Sequence, residues 1–236
     1  MSSLILMRKM TGMMNKSIFY CLFILFPVLL LAQNGVSRLE SYLQAQHLVN
    51  IKELDPTILS DLKYATTDNF TKTVLYDTLS NVYLHPVAAK KLVKAQQYLK
   101  EVNPDLSLLV YDAVRPLSVQ KKMYKVVQNK PYALYVANPV RTGLHNYGMA
   151  VDLTICDKQG IPLDMGTAFD FFGKAAGINR EPELIKEGIL TKQQVKNRDL
   201  LRKVMIRAGF LTIRGEWWHF NAVSLNEARQ SYKVIE

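Results

Sequence analysis

Two short stretches of the chain combine residue types that bind metals and move protons. In "GEWWHF" (215–220), Glu216 and His219 stand three positions apart, with the chain's two tryptophans, Trp217 and Trp218, between them. In "GLHNYGMAVDL" (143–153), His145 precedes Asp152 by seven positions. Imidazole and carboxylate are both zinc ligands, and a catalytic zinc takes three protein ligands and leaves a fourth position for water. His145, Asp152 and His219 would supply such a set for one Zn2+ per chain. Glu216 would be the adjacent carboxylate that takes a proton.

Spacing sets a condition on this idea. On a regular strand, residues an odd number apart face opposite ways, so each pair needs a break in the backbone. Gly148 lies between the first two residues, and Gly215 precedes the second pair. Either motif alone arises by chance, and an aromatic strand with two polar ends accounts equally well for the second. The residues by themselves leave both readings open. His47 and His85 have no partner pattern and read as structural or surface residues.

The elements that must position these side chains are legible in outline. "PVAAKKLVKAQQYLKEV" (86–102) repeats apolar residues at helical spacing and begins with proline, which suits a first turn. "LSLLVYD" (106–112) reads as a buried strand, and Pro116 opens a helix through Val127. "GMAVDLTI" (148–155) reads as a short strand entered through glycine. "TKQQVKNRDLLRKVMIRAGF" (191–210) is the clearest helix: Thr191 and Gln194 form a capping box and Gly209 a stop. "GFLTIRGEWWHF" (209–220) reads as two strand pieces broken at Gly215, with Trp217 and Trp218 on opposite faces. Strands and helices mix without a regular βαβ rhythm. The expected fold is therefore α+β, a mainly antiparallel central sheet flanked by helices in a single domain.

The first residues differ in character. Arg8, Lys9 and Lys16 precede an apolar run from Ile18 to Ala32 that contains Pro27. This describes a cleavable export signal over 1–32, followed by a lead-in over 33–50 and a catalytic domain over 51–236. The run is shorter than the roughly 20 apolar residues that a membrane span needs, so no stable membrane partner is expected after cleavage. Residues before Cys21 are bulky, which excludes a lipidation site. Without the three basic residues of the signal, the formal net charge falls from +10 to +7. A basic surface suits anionic polymers of the cell envelope, and no basic-aromatic motif points to nucleic acid. Only Cys156 remains after cleavage, so an intrachain disulfide is excluded.

Taken together, "HNYGMAVD" and "EWWH" resemble the zinc D,D-peptidases of hedgehog-like fold, and most closely the D-alanyl-D-alanine dipeptidases of the vancomycin-resistance type. The likeness runs in order through "KYATTDNFT" (63–71), "DAVRP" (112–116), "MGTAFDF" (165–171) and "NRDLLRKVMIRAGF" (197–210). It implies His145, Asp152 and His219 as zinc ligands, Glu216 as catalytic base and Arg115 as the cation stabilising the transition state. It further implies Asp170 as the acid holding the substrate's ammonium and Tyr64 as an aromatic of the same pocket. Read without the resemblance, Arg115 is an ion-pair partner of Asp112, and Asp170 a cap or turn residue. Gly143 and Leu144 depart from the family, which commonly has serines there.

The implied activity is zinc-dependent hydrolysis of D-Ala-D-Ala by an enzyme exported to the periplasm or cell envelope. The partner is a small D-amino-acid dipeptide, with peptidoglycan fragments as the wider class. Two alternatives stand beside it. One is a D,D-carboxypeptidase or L-Ala-D-Glu endopeptidase acting on stem peptides, since "HNYG" also occurs in the latter. The other is a non-catalytic zinc-bearing binding module, against which the presence of both Glu216 and Arg115 argues. Export favours wall-fragment recycling over antibiotic resistance, because a resistance dipeptidase must act in the cytoplasm.

Overall fold

The computed structural model describes residues 37–131, 133 and 136–236. The expected export signal, residues 1–32, lies outside them. A five-stranded sheet organises the molecule, in the order β2 (Leu59–Ser60), β4 (Ser107–Asp112), β5 (Ala150–Cys156), β7 (His219–Asn221), β6 (Leu211–Thr212). All pairings are antiparallel except β2 with β4, which is parallel at one edge. A small ribbon pairs β1 (Val49–Asn50) with β3 (Tyr83–Leu84). The result is the expected α+β architecture with a mainly antiparallel sheet.

Helices α3 (Pro86–Val102) and α6 (Lys192–Arg207) pack on each other and over one sheet face. Leu92 and Leu99 of α3, Leu201 and Met205 of α6, and Val110, Leu153 and Ile155 of the sheet are all fully buried in one cluster. Burying each such side chain contributes roughly 1.5–3 kcal/mol. Helix α3 starts where His85 caps it: the ring Nδ1 accepts from Val87 N at 3.2 Å. Helix α6 carries the expected capping box, with Gln194 N donating to Thr191 Oγ1 and Thr191 N to Gln194 Oε1. Helix α4 (Leu117–Val127) follows Pro116, and α2 (Ile51–Leu54), α5 (Glu181–Lys186) and α7 (Leu225–Ser231) are short.

The expected lead-in carries structure of its own where it is described. Helix α1 (Arg38–Ala45) of the expected lead-in buries Leu43, and its Glu40 carboxylate accepts from Ser80 N and Asn81 N. The strand pieces around Gly215 are only β6 and β7, and residues 213–218 between them are irregular. Trp217 and Trp218 therefore do not alternate across a strand. Both are buried, packed edge to face at 5.4 Å. Among the described residues no helix is long and apolar enough to cross a membrane.

The register of the sheet builds the site. Val110 of β4 stands opposite Leu153, yet Asp112 stands opposite Asp152, so β4 advances two residues while β5 advances one. This bulge turns Asp112 into line with Asp152, which in turn faces His219 across β7. A bulge re-aims a side chain in this way next to many active sites. Asp112, Asp152 and His219 then form one row across three neighbouring strands.

Candidate metal centre

Asp152 is the middle of that row and 4% exposed. His145 reaches it from a 3-10 turn, Leu144–Tyr147, which ends at Gly148 in the left-handed conformation, φ 64. Glycine suits this position, because a Cβ would be strained at that φ and crowded, 3.0 Å from His85 N and 3.1 Å from Leu48 Cδ2. The break expected between His145 and Asp152 is thus at Gly148. Gly215 plays no such part: its φ lies outside the left-handed range and a Cβ would meet nothing within 4 Å. The irregular path of residues 213–218 as a whole brings Glu216 beside His219.

The three donor groups converge. His145 Nε2 lies 3.3 Å from Asp152 Oδ2 and 3.2 Å from His219 Nδ1, and His219 Nδ1 lies 2.9 Å from Asp152 Oδ1. Each imidazole has its other nitrogen engaged. His145 Nδ1–H donates to Ala113 O at 2.6 Å, and His219 Nε2–H donates to Asn221 Oδ1 at 2.7 Å. Outer partners of this kind fix tautomer and ring orientation in metal sites, and they leave Nε2 of His145 and Nδ1 of His219 turned toward Asp152. The three residues could hold a metal ion. Burial opposes the charge of Asp152, yet the two imidazoles hold its carboxyl below the usual carboxylate range. His219 is correspondingly raised by Asp152, against its own burial.

Glu216 Oε2 lies 4.0 Å from His219 Nδ1. Burial lifts its carboxyl above the ordinary value, with Asp152 adding and His219 opposing. Arg115 is 7% exposed, so its pairing with Asp112 is a buried contact rather than a surface one. Its Nε donates to Asp112 Oδ2 at 3.0 Å, its Nη1 to Gln120 Oε1 at 3.0 Å, and its guanidinium stands 5.1 Å from the Tyr64 ring centroid. Asp112 is itself held by Tyr76, whose hydroxyl donates to Oδ1 at 2.7 Å. Pairing with Asp112 raises the guanidinium further, although burial works the other way.

Tyr64 donates to Asp170 Oδ2 at 2.8 Å. Asp170 adopts φ 58; a left-handed non-glycine residue costs of order 1–3 kcal/mol and persists where its surroundings over-determine it. Burial pushes this carboxyl well above the usual range, against the hydrogen bond from Tyr64. All seven residues singled out in the sequence line one cavity of ≈ 360 Å³, at the small end of ligand pockets. Gly143 lines it too, and a Cβ there would sit 3.3 Å from Ala137 Cβ, so Ala137 crowds the space that a serine would take. The sequence reading missed Gln120, Tyr76 and Asn221 as supports; the three-residue spacing in "DAVRP" was the one visible signal, and it pointed to Asp112.

Comparison with protein families matches residues 44–235 to peptidase M15, described as D-ala-D-ala dipeptidase. The chain belongs to this family. Curated D-alanyl-D-alanine dipeptidases are similar to it along most of their length. The Escherichia coli K12 protein is 32% identical over 173 residues, covering 73% of this chain and 83% of that one. The Synechocystis protein is 28% identical over 176 residues, 62% of this chain and 71% of the other. The Enterococcus faecalis V583 protein is 28% identical over 183 residues, 69% and 85%. The M15 chain is accordingly a peptidase, and the cavity just described is where its candidate metal donors, carboxylates and arginine meet.

Proposed function

We propose that this M15 peptidase is an exported zinc enzyme that hydrolyses the free dipeptide D-Ala-D-Ala. The observation that carries the reading is the convergence, in one small cavity, of a three-donor cluster, Glu216, Arg115 and the Asp170–Tyr64 pair. The donor set suits zinc: nitrogen and carboxylate atoms about 2.0–2.1 Å from a tetrahedral ion stand roughly 3.3 Å apart, against 2.9–3.3 Å here. His145, Asp152 and His219 would hold the ion. When bound, it would supply Lewis acidity that brings the pKa of water down to about 7 and polarises the scissile carbonyl.

The chain's own groups do the rest. Glu216, its carboxyl raised above the ordinary value by burial, takes the proton of the attacking water and returns it to the leaving amine. Arg115, held in place by Asp112 and Gln120, directs a permanent positive charge at the oxyanion of the tetrahedral intermediate. Asp170 is a carboxylate in a site that disfavours its charge, so a substrate ammonium would supply the cation it lacks. That requirement favours a dipeptide with a free amino end over a stem peptide with an acylated one. Export rests on the basic flank and apolar run ahead of Gln33, and it places the substrate in the periplasm or cell envelope. That location would favour wall-fragment recycling over a resistance role.

The deciding experiment incubates the zinc-loaded protein with D-Ala-D-Ala, L-Ala-L-Ala and a stem pentapeptide. Selective cleavage of the first supports the reading. Equal or better cleavage of the pentapeptide replaces it with a carboxypeptidase or endopeptidase, and no cleavage of any leaves a binding module.

A further inference from the structure

The loop Met165–Ala175 carries Asp170 and has no strand or α-helix of its own to hold it. One face of α6 fastens it instead. Gln194 Nε2 donates to Asp164 Oδ2 at 2.9 Å, and Asn197 Nδ2 to Asp164 O at 2.8 Å. Arg198, on the same helical face, spans the loop: its Nε donates to Met165 O at 2.6 Å and its Nη2 to Ala175 O at 2.9 Å. A planar guanidinium fork fixes the directions of its donors to the two carbonyls, which the flexible, point-like ammonium of a lysine does not.

Arg198 is 1% exposed, an unusual setting for a charge. Its Nη1 has no hydrogen-bond partner among the described residues and stands 3.6 Å from Glu181 Oε1, an ion-pair distance. The guanidinium lies 5.7 Å from the centroid of the Trp217 ring. Trp217 grips the same loop, since its Nε1 donates to Thr167 Oγ1 at 2.8 Å and its backbone N to Ala176 O at 3.0 Å. Trp217 is also the residue next to Glu216. A plain core brace has no need to hold the carbonyls at both ends of a loop that carries a carboxylate of the cavity.

We infer that Arg198, backed by Trp217, is a positioning residue for substrate selection: it clamps both ends of the Met165–Ala175 loop so that Asp170 faces the cavity in its left-handed conformation. The inference rests on the reading of Asp170 as the ammonium site. Its prediction is specific. Loosening the clamp weakens the preference for a free amino end and leaves metal loading intact.

The test measures kcat/KM for D-Ala-D-Ala and for its N-acetyl derivative in the zinc-loaded wild type, Asp170→Asn, Arg198→Lys and the double variant. The ratio of the two values is the preference. Arg198→Lys keeps a charge facing Glu181 but loses the fork, and should lower the preference by ~10-fold, the scale of one charged hydrogen bond, mainly through KM. In the Asp170→Asn background the same change should cost less than ~2-fold more, because both act on one contact. Amides of 166–174 should exchange faster in Arg198→Lys while those of β5 do not.

Equal loss with both substrates in Arg198→Lys makes the residue a general brace and overturns the inference. A preference lowered by Asp170→Asn but untouched by Arg198→Lys also overturns it, alone. An unchanged preference in Asp170→Asn overturns the reading of Asp170 and the inference with it. Thr167→Val loosens the loop from the Trp217 side without disturbing the buried ion pair, so it stands in if Arg198→Lys does not fold. It should lower the preference in the same direction, and a wild-type preference there counts against the clamp.

Discussion

The two ends of the cavity are built differently. At the metal end, Asp152 and His219 sit in paired strands, and His145 lies in a turn whose backbone is tied to the neighbouring loop: Arg115 N donates to His145 O at 2.9 Å, and Asn146 Nδ2 to Arg115 O at 2.8 Å. At the other end Asp170 lies on a loop in a strained conformation, held by side chains from Tyr64, Arg198 and Trp217. Groups that share one metal ion must stay within tenths of an ångström of one another, which strands and paired amides provide. A loop tolerates change in shape and sequence, and so suits the part of the site that selects substrates. The contrast predicts that mutations at the metal end abolish chemistry, whereas those at the loop end alter preference.

The largest effect should come from Glu216→Gln. The amide has nearly the same shape but cannot accept the water's proton, so kcat should fall by about a hundred- to ten-thousand-fold. Zinc content measured by atomic absorption should match wild type. Near-normal turnover would take Glu216 out of the mechanism and leave the rigid end without its base.

Next in size is Asn221→Ala. It removes the acceptor that orients the His219 ring, and loss of such an outer partner typically costs 10–100-fold in metal affinity. Competition with a chelator should show this weakening, while the ratio of free to N-acetylated dipeptide cleavage by the loaded enzyme stays constant. A changed ratio would mean that the two ends are not independent.

The same contrast explains what could be read from the sequence. Helices α3, α4 and α6 and strands β4 and β5 are long enough to show their periodicity, and the proline, capping-box and glycine signals at their ends were legible. Strands β2, β6 and β7 have two or three residues each, too few for any period to appear. The His145 and Asp152 break was visible because Gly148 marks it. The β4 bulge that brings Asp112 into the row has no local signature in "LLVYD". Supports such as Tyr76 on Asp112 and Asn221 on His219 depend on three-dimensional pairing, and no composition rule finds them. At the loop end, Asp170 drew notice only through resemblance, since nothing in "MGTAFDF" announces a left-handed aspartate or an arginine from α6 beneath it.

Asp170→Asn should cost less than Glu216→Gln and, unlike Asn221→Ala, should spare metal affinity. Removing the carboxylate that meets a substrate ammonium should cost roughly 10–100-fold in kcat/KM for D-Ala-D-Ala, the range of a charged hydrogen bond. N-acetylating the dipeptide deletes the same contact from the other side, so the two losses should not add. Full additivity in a double cycle would place the ammonium elsewhere.

The smallest effect sharpens the comparison through stability. Burial raises the Asp170 carboxyl in the folded protein above its unfolded value, so the folded state binds that proton more tightly. Whatever stability this gives is complete below the ordinary carboxylate pKa and is lost as pH rises through the folded value. Asparagine has no such proton to lose. In the metal-free protein, Asp170→Asn should therefore melt close to wild type at acid pH and gain slightly on it as pH rises toward neutrality, although it selects substrate less well. Asp152 gives the opposite sign, because its carboxyl is held low by His145 and His219: its contribution is present above the ordinary carboxylate pKa and lost only on acidification. Melting curves of both Asp→Asn variants across pH measure the two slopes directly. Slopes of the same sign would mean that the loop carboxylate is as well compensated as the one in the sheet, and the contrast between a rigid, satisfied metal end and a strained end awaiting its cation would fail.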